Sequence, residues 1–282
     1  MNYIRSLPPL KSIVHQTMPM TSIRWAQTSS SVTKRLNGKI AIVTASTKGI
    51  GLATADRLAE EGARVIISSR NQSNVKAAVE TLRRKGLDVN GVVCHVSKQE
   101  DRNKLIEKAL ELGGKIDIFI SNAAANPTAG HVLDTEEGAW DKIFDINVKS
   151  AFLLSKEVLP HLSKGGCIVY ISSIAGLQLF PMIATYSVSK TALCALSRAV
   201  AAQCAPLGIR VNCVSPGIVK TDFSSVIWQN KEGNEQLMSS IPMDRIAEPY
   251  EVAGLVAFLC SDDASYITGE NYVVAGGMPS RL

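Results

Sequence analysis

The strict alternation of short apolar runs with longer helical stretches constrains this chain more than any other feature of its sequence. Lys39 to Thr44, Arg64 to Ser68, Val89 to Val93, Ile116 to Ser121, Cys167 to Ser172, Ile209 to Val214 and Tyr272 to Ala275 are rich in Val and Ile. Their near-continuous apolar character is that of strands buried on both faces. Between them, Gly49 to Glu61, Asn74 to Lys85, Asp101 to Leu112, Trp140 to Leu162, Tyr186 to Leu207 and Tyr250 to Leu259 are long enough for crossover helices. A helix between two strands carries the chain back to the starting end of the sheet, so the strands pair in parallel. The expected fold is α/β, a single Rossmann-type doubly wound parallel seven-stranded sheet flanked by helices on both faces. Its ligand site should lie outside the carboxyl ends of the strands. A length of 282 residues suits one such domain, placed at residues 37–279.

Charge separates the ends from the body. Residues 1–36 carry Arg5, Lys11, Arg24, Lys34 and Arg35 and no acid, so 25 basic and 25 acidic residues balance in the remainder. A neutral body lacks the electrostatic footprint of a nucleic-acid binder. The basic leader, rich in Ser and Thr, is expected to be disordered or a targeting segment, with a mitochondrial address as one reading. The last three residues, Ser280, Arg281 and Leu282, match the small-basic-leucine form of a peroxisomal signal. Peroxisome is therefore the expected location, an import receptor the implied partner, and mitochondrion the alternative. The longest uncharged stretch, Gly165 to Ser189, is broken by Gly, Pro and Ser, and no membrane span is expected. Six scattered cysteines form no CxxC pair and no cluster at metal-ligand spacing, which points to reduced thiols and no metal.

After the first strand comes Thr44-Ala45-Ser46-Thr47-Lys48-Gly49-Ile50-Gly51, opening into a helix. A dinucleotide needs its pyrophosphate at a helix N-terminus with small residues that let the backbone approach, so Thr44, Ser46, Lys48, Gly49, Ile50 and Gly51 are expected to bind one. The second strand ends Ser68-Ser69-Arg70-Asn71, without the acid that holds a free ribose 2′-hydroxyl. A 2′-phosphate calls instead for positive charge and hydroxyl donors. Ser69, Arg70 and Asn71 therefore predict NADP(H), with Arg70 forking onto the phosphate or stacking on adenine and Lys48 adding a second charge.

Tyr186 and Lys190 stand four apart, on one face of a helix. An ammonium beside a phenol favours phenolate, bringing a group with pKa near 10 toward the working range of a proton shuttle. In this reading Tyr186 is the general acid toward a carbonyl oxygen as hydride reaches its carbon. Lys190 lowers the phenol's pKa and binds the nicotinamide ribose. Ser173, at a strand end, polarises the same oxygen, and Asn147 carries a water linking Lys190 to solvent.

These residues, in this order, resemble the short-chain dehydrogenase/reductase family from about Asn37 to Ala275. The resemblance rests on Thr44 to Gly51, Asn122-Ala123-Ala124, Asn147, Ser173, Tyr186, Lys190 and Pro216-Gly217. Within the family the chain is most similar to peroxisomal NADPH-dependent carbonyl and retinal reductases, and what that implies is carbonyl reduction by a homotetramer. It also places Asn122, Ala123, Ala124, Pro216, Gly217, Ile218, Val219 and Thr221 at the cofactor. His95 and Val96 join them at the adenine, His95 standing where an acid commonly meets the adenine amino group, as a reader of the base or simply packed beside it. Ala45 occupies the place of a usual glycine, tolerable if that position needs no positive φ, and Ala124 replaces another.

The substrate pocket is expected to include Ser173, Leu179, Phe180, Tyr186, Phe223 and Trp228, with Asp222 to Met243 forming a helical lid. Ketones, aldehydes, quinones and retinoids fit an apolar pocket of that kind. An enoyl- or dienoyl-CoA reductase of the same fold, and a non-catalytic NADP-binding protein, are the competing readings.

Overall fold

The structure is a computed structural model that describes residues 34–228 and 238–280. Among these residues seven strands form one sheet: β1 (Ile40–Val43), β2 (Arg64–Ser69), β3 (Val89–Val93), β4 (Ile116–Ser121), β5 (Leu162–Ile171), β6 (Arg210–Pro216) and β7 (Asn271–Val274). Their order is β3-β2-β1-β4-β5-β6-β7 and every neighbouring pair is parallel, as the alternation predicts. The chain builds outward from β1 to β3, then returns to place β4 on the other side of β1. That reversal opens a crevice at the carboxyl ends of β1 and β4.

Helices cover both faces. On one, Ala55 and Leu58 of α1 (Gly49–Glu60) and Val256 and Leu259 of α7 (Pro249–Cys260) pack against Val43 and Val169. On the other, Leu105 of α3 (Gln99–Leu110), Leu154 of α5 (Ser150–Val158) and Leu193 of α6 (Ala184–Cys204) meet Ile42, Phe119 and Tyr170. Burying each such aliphatic side chain stabilises the fold by about 1.5–3 kcal/mol. Helix α2 (Gln72–Arg84) packs over the β2–β3 side. The six cysteines are free and buried, and no helix among the described residues is long and apolar enough to cross a membrane.

Two boundaries differ from expectation. Leu36, assigned to the leader, is buried in the core, and Arg35 reaches Glu61 at 2.7 and 2.9 Å. The domain therefore begins before residue 37, because an apolar side chain and a paired guanidinium dock it. The rest of the leader, residues 1–33, lies outside the described residues. The second difference is that Trp140 to Leu162 is not one helix. It divides into α4 (Glu137–Phe144), a π-helical turn Asp145–Lys149, α5 and a 3-10 turn Leu159–His161, after which β5 has already begun.

Candidate active site

The turn between β1 and α1 is held from within. Thr44 Oγ1 accepts the backbone N–H groups of Asn122 (2.9 Å) and Ala123 (3.1 Å), while Ser46 Oγ donates to the Val43 carbonyl (2.6 Å) and accepts from Ser68 N–H (3.0 Å). Asn122 Nδ2 donates to the carbonyls of Thr44 and Ala45, both at 3.0 Å. Thr44 and Ser46, expected at the cofactor, thus face inward and shape the turn. Gly51 closes it: a Cβ there would lie 2.5 Å from Asn122 Nδ2 and 2.6 Å from the Ala45 carbonyl oxygen. Gly49 has φ 55°, and Ala45 has φ 49°. The left-handed conformation is therefore required where the sequence has Ala, at a cost of about 1–2 kcal/mol.

A cleft of about 1050 Å³ runs from this turn past the end of β2 and is lined by Lys48, Ser69, Arg70, His95, Val96 and Ala124, and also by Ala123. The first turn of α1 carries no acid, and neither does the end of β2. His95 has its Nδ1 2.8 Å from Ser97 Oγ and its backbone N–H on Asp101. Arg102, paired with Glu157 at 2.9 Å, holds the Val96 carbonyl at 3.0 Å. Asn71 turns away and caps α2 by accepting the N–H groups of Ser73 and Asn74. Thr47, Asn74 and Ser97 also line this cleft, though the sequence reading did not select them. Thr47 sits inside the turn and Ser97 two residues beyond His95, which is the pattern that would have found them.

A second cleft, of about 420 Å³, shares Ala45, Lys48 and Ala124 with the first, and Gly49, Ile50, Gly51, Asn122, Tyr186, Lys190, Thr221 and Phe223 lie along it. Pro216, Gly217, Ile218 and Val219 do not reach either of these clefts. They are tied to the sheet edge, with Gly217 N–H on the Val274 carbonyl and Ile218 accepting Ala247 N–H. A Cβ on Gly217 would meet Ala275 at 3.0 Å. Lys48 lines both clefts, and its Nζ pairs with the exposed Asp222 at 2.9 Å.

Tyr186 and Lys190 lie together on α6, 8% and 1% exposed. Lys190 Nζ is 5.6 Å from the Tyr186 ring centroid and donates to the Ile171 carbonyl at 2.8 Å. This arrangement alters the expected acidification. Burial pushes the Tyr186 phenol above its ordinary range, opposed by a hydrogen bond with Ser173. Burial also lowers Lys190 to about 8, opposed by the nearby Cys213 and Cys194. The ammonium is aimed at a backbone carbonyl, and desolvation outweighs it. Ser173 Oγ, at the start of the 3-10 turn Ile174–Gly176, also accepts Ala175 N–H at 3.1 Å. That turn can close on α6 because Gly176 has no side chain; a Cβ would lie 2.7 Å from the Lys190 carbonyl carbon.

Asn147 sits in the π-helical turn and is buried. Its amide donates to the Ala125 carbonyl and to Ser189 Oγ, each at 3.0 Å, and its Oδ1 accepts Ala125 N–H at 2.7 Å. Both amide hydrogens are thus engaged, and a relay water would have to rest on the backbone or on the remaining lone pair. A π-turn opens the carbonyl ladder locally and provides for the former.

The expected apolar pocket is brought together only in part. The ring of Phe223, 55% exposed, is 5.9 Å from that of Tyr186. Leu179 is 62% exposed. Phe180 packs with Ile174, Ile241 and Met278, and Trp228 Nε1 donates to the Thr221 carbonyl. The lid begins with the helical turns Asp222–Ser224 and Ser225–Trp228, and its residues 229–237 lie outside the description.

Known proteins resemble this arrangement over nearly its whole length. A family profile described as enoyl-(acyl carrier protein) reductase matches residues 44–279. Human dehydrogenase/reductase SDR family member 4 is 52% identical over 265 residues, 93% of this chain and 95% of that one. Tropinone reductase-like 3 of Erythroxylum coca is 51% identical over 249 residues, 88% of this chain and 96% of its own. Among solved structures, the crystal structure of gox2181 superposes with a TM-score of 0.83 at 35% identity, covering 87% of this chain and 98% of that one.

Proposed function

The chain belongs to the short-chain dehydrogenase/reductase family, whose members are oxidoreductases with nicotinamide cofactors, and from that premise we propose that it reduces ketones, aldehydes, quinones or retinoids to alcohols with NADPH. One observation carries this reading: a neutral, buried phenol, hydrogen-bonded with Ser173, lines the same cleft as Lys190 and the glycines of the β1–α1 turn.

The residues fit the cofactor. Gly51, where a Cβ would collide with Asn122 and the Ala45 carbonyl, keeps the β1–α1 turn tight along the smaller cleft, Arg70 lines the larger cleft beside Ser69, and the absence of an acid there favours a 2′-phosphate. Gly49, Gly51, Asn122 and Lys190 would hold the pyrophosphate and nicotinamide side, and Arg70, His95 and Val96 the adenosine side. When bound, a reduced nicotinamide supplies the hydride such a reduction needs. Tyr186 holds at Oη the proton destined for the carbonyl oxygen, and a raised phenol is protonated at neutral pH, as donation requires. Ser173 directs its hydroxyl to the same oxygen. Lys190, at about 8, is charged at neutral pH yet close enough to titration to return a proton to Tyr186, resupplied by a water at the Asn147 turn. Phe223 supplies an apolar wall. A homotetramer, as in the family resemblance, is part of this proposal.

The enoyl or dienoyl thioester reading is favoured by the match to an enoyl-(acyl carrier protein) reductase family profile. Both are tested by following NADPH oxidation with a diketone, an aromatic ketone, retinal and a dienoyl-CoA, using wild type and Tyr186→Phe. Turnover of carbonyls that Tyr186→Phe abolishes is expected. Turnover of the thioester alone supports the second reading, and binding of NADPH without turnover overturns both. In the same assay Arg70→Ala should raise the NADPH KM roughly 5- to 150-fold, the equivalent of about 1–3 kcal/mol, with NADH little changed; equal effects on both cofactors remove the 2′-phosphate assignment.

A further inference from the structure

Behind Lys190 runs a line of hydrogen bonds, buried at Ser172 and Cys194 and half-buried at Asn271, that the chemistry above does not use. Ser215 Oγ donates to Asn271 Oδ1 at 2.8 Å, and Asn271 Nδ2 donates to Cys194 Sγ at 3.3 Å. Cys194 Sγ lies 3.2 Å from Ser172 Oγ, which donates to the Lys190 backbone carbonyl at 3.1 Å. Hydrogen bonds with Cys213, Ser172 and Ser215 hold the Cys194 thiol below its ordinary range, at about 6, so its sulfur is the polar hub of the line and accepts from Asn271. The line joins β6, β7, the exit of β5 and α6.

Its end point is significant. Ser172 stands between Ile171, whose carbonyl accepts Lys190 Nζ, and Ser173, which bonds Tyr186. Moving Ser172 therefore moves both neighbours against α6. Among the described residues no carboxylate lies against the Lys190 amine; the Ile171 carbonyl from β5, the Tyr186 ring and Cys194 from α6, and Cys213 from β6 are the groups it faces.

We propose that Cys194 and Asn271 are positioning residues for Lys190, acting through Ser172 to fix the β5 exit against the catalytic helix and to keep polar atoms around the buried amine. The role in turnover rests on the reductase reading above; the placement of the amine does not.

The test uses the full chain with Cys194→Val, Cys194→Ser and Asn271→Leu. Folding is checked by circular dichroism and melting, kcat and KM by NADPH oxidation, and the Lys190 titration by NMR of ¹³Cε-lysine, assigned by loss of its signal in Lys190→Met. Cys194→Val and Asn271→Leu should lower kcat about tenfold with a smaller change in KM, and move the Lys190 midpoint downward by about half a pH unit. Cys194→Ser, which keeps a donor and an acceptor, should restore both. A folded Cys194→Val or Asn271→Leu with wild-type kcat and titration overturns the proposal, as does a serine variant no better than the valine one. Failure of all three to fold also overturns it, since packing alone would then explain the contacts. If wild type turns over no carbonyl, the reductase reading fails while the lysine titration still decides this one.

Discussion

Replacing Lys190 by Met should make the protein more stable at neutral pH while removing its activity. The amine is 1% exposed and has no carboxylate partner among the described residues, so burial lowers it from 10.5 to about 8. A difference of that size places on the order of 3 kcal/mol against the charged form in the folded chain. Met has nearly the same reach without the charge, but leaves the Ile171 carbonyl without its 2.8 Å donor, a loss of about 1–2 kcal/mol. The net gain expected is on the order of 1–2 kcal/mol at about pH 7. Its pH dependence follows from proton counting. Between the folded value of about 8 and the unfolded value of 10.5, the unfolded wild type holds the proton that the folded one has released, so wild-type stability rises with pH across that window. The advantage of the Met variant is therefore complete below about 8 and shrinks toward 10.5. Both chains share every other titrating group, so urea unfolding of the two at about pH 7 and about pH 9.5, without cofactor and at one protein concentration, isolates Lys190. A wild type more stable than the variant at neutral pH, with a gap that does not change on raising the pH, would refute the reasoning.

Ala45→Gly should stabilise the protein by roughly 0.5–1 kcal/mol, the left-handed strain at φ 49° less the extra freedom of glycine in the unfolded chain. A melting temperature about 1–4 °C higher is the expected readout, and a lower one excludes strain at that turn. Removing Ser280, Arg281 and Leu282 from a tagged chain should disperse a peroxisomal pattern into the cytosol, as seen by fluorescence microscopy; an unchanged punctate or a mitochondrial pattern would assign targeting elsewhere.

What the sequence made legible was what depends on near neighbours. The parallel seven-stranded sheet follows from apolar runs separated by helix-length segments, whereas the order that puts the crevice between β1 and β4 comes from the fold. Tyr186 and Lys190 share a helix face by spacing alone, and Gly49 and Gly51 mark a turn at a helix start. Thr44 and Ser46 stand in that turn, where cofactor contact is expected, yet their partners are Asn122 and Ala123 just after β4 and Ser68 on β2. Asn71 was read as a phosphate ligand, although an Asn one residue before a helix is as readily a cap, which is the role it takes.

The remaining differences come from contacts remote in the chain, and they share a cause. The π-turn at Asn147 exists where the amide reaches Ala125 and Ser189, 22 and 42 residues away, and no local pattern in Asp145-Ile146-Asn147-Val148-Lys149 encodes those partners. Lys48 answers to Asp222, 174 residues on. Spacing put an amine beside a phenol, but the direction of the amine was decided by the Ile171 carbonyl, and the state of the phenol by how deeply the helix is buried. Two groups four residues apart interact as a pair only when the surroundings leave them to do so. Here desolvation keeps the phenol protonated and lowers the amine to about 8, the protonation state from which the proposed carbonyl reduction starts.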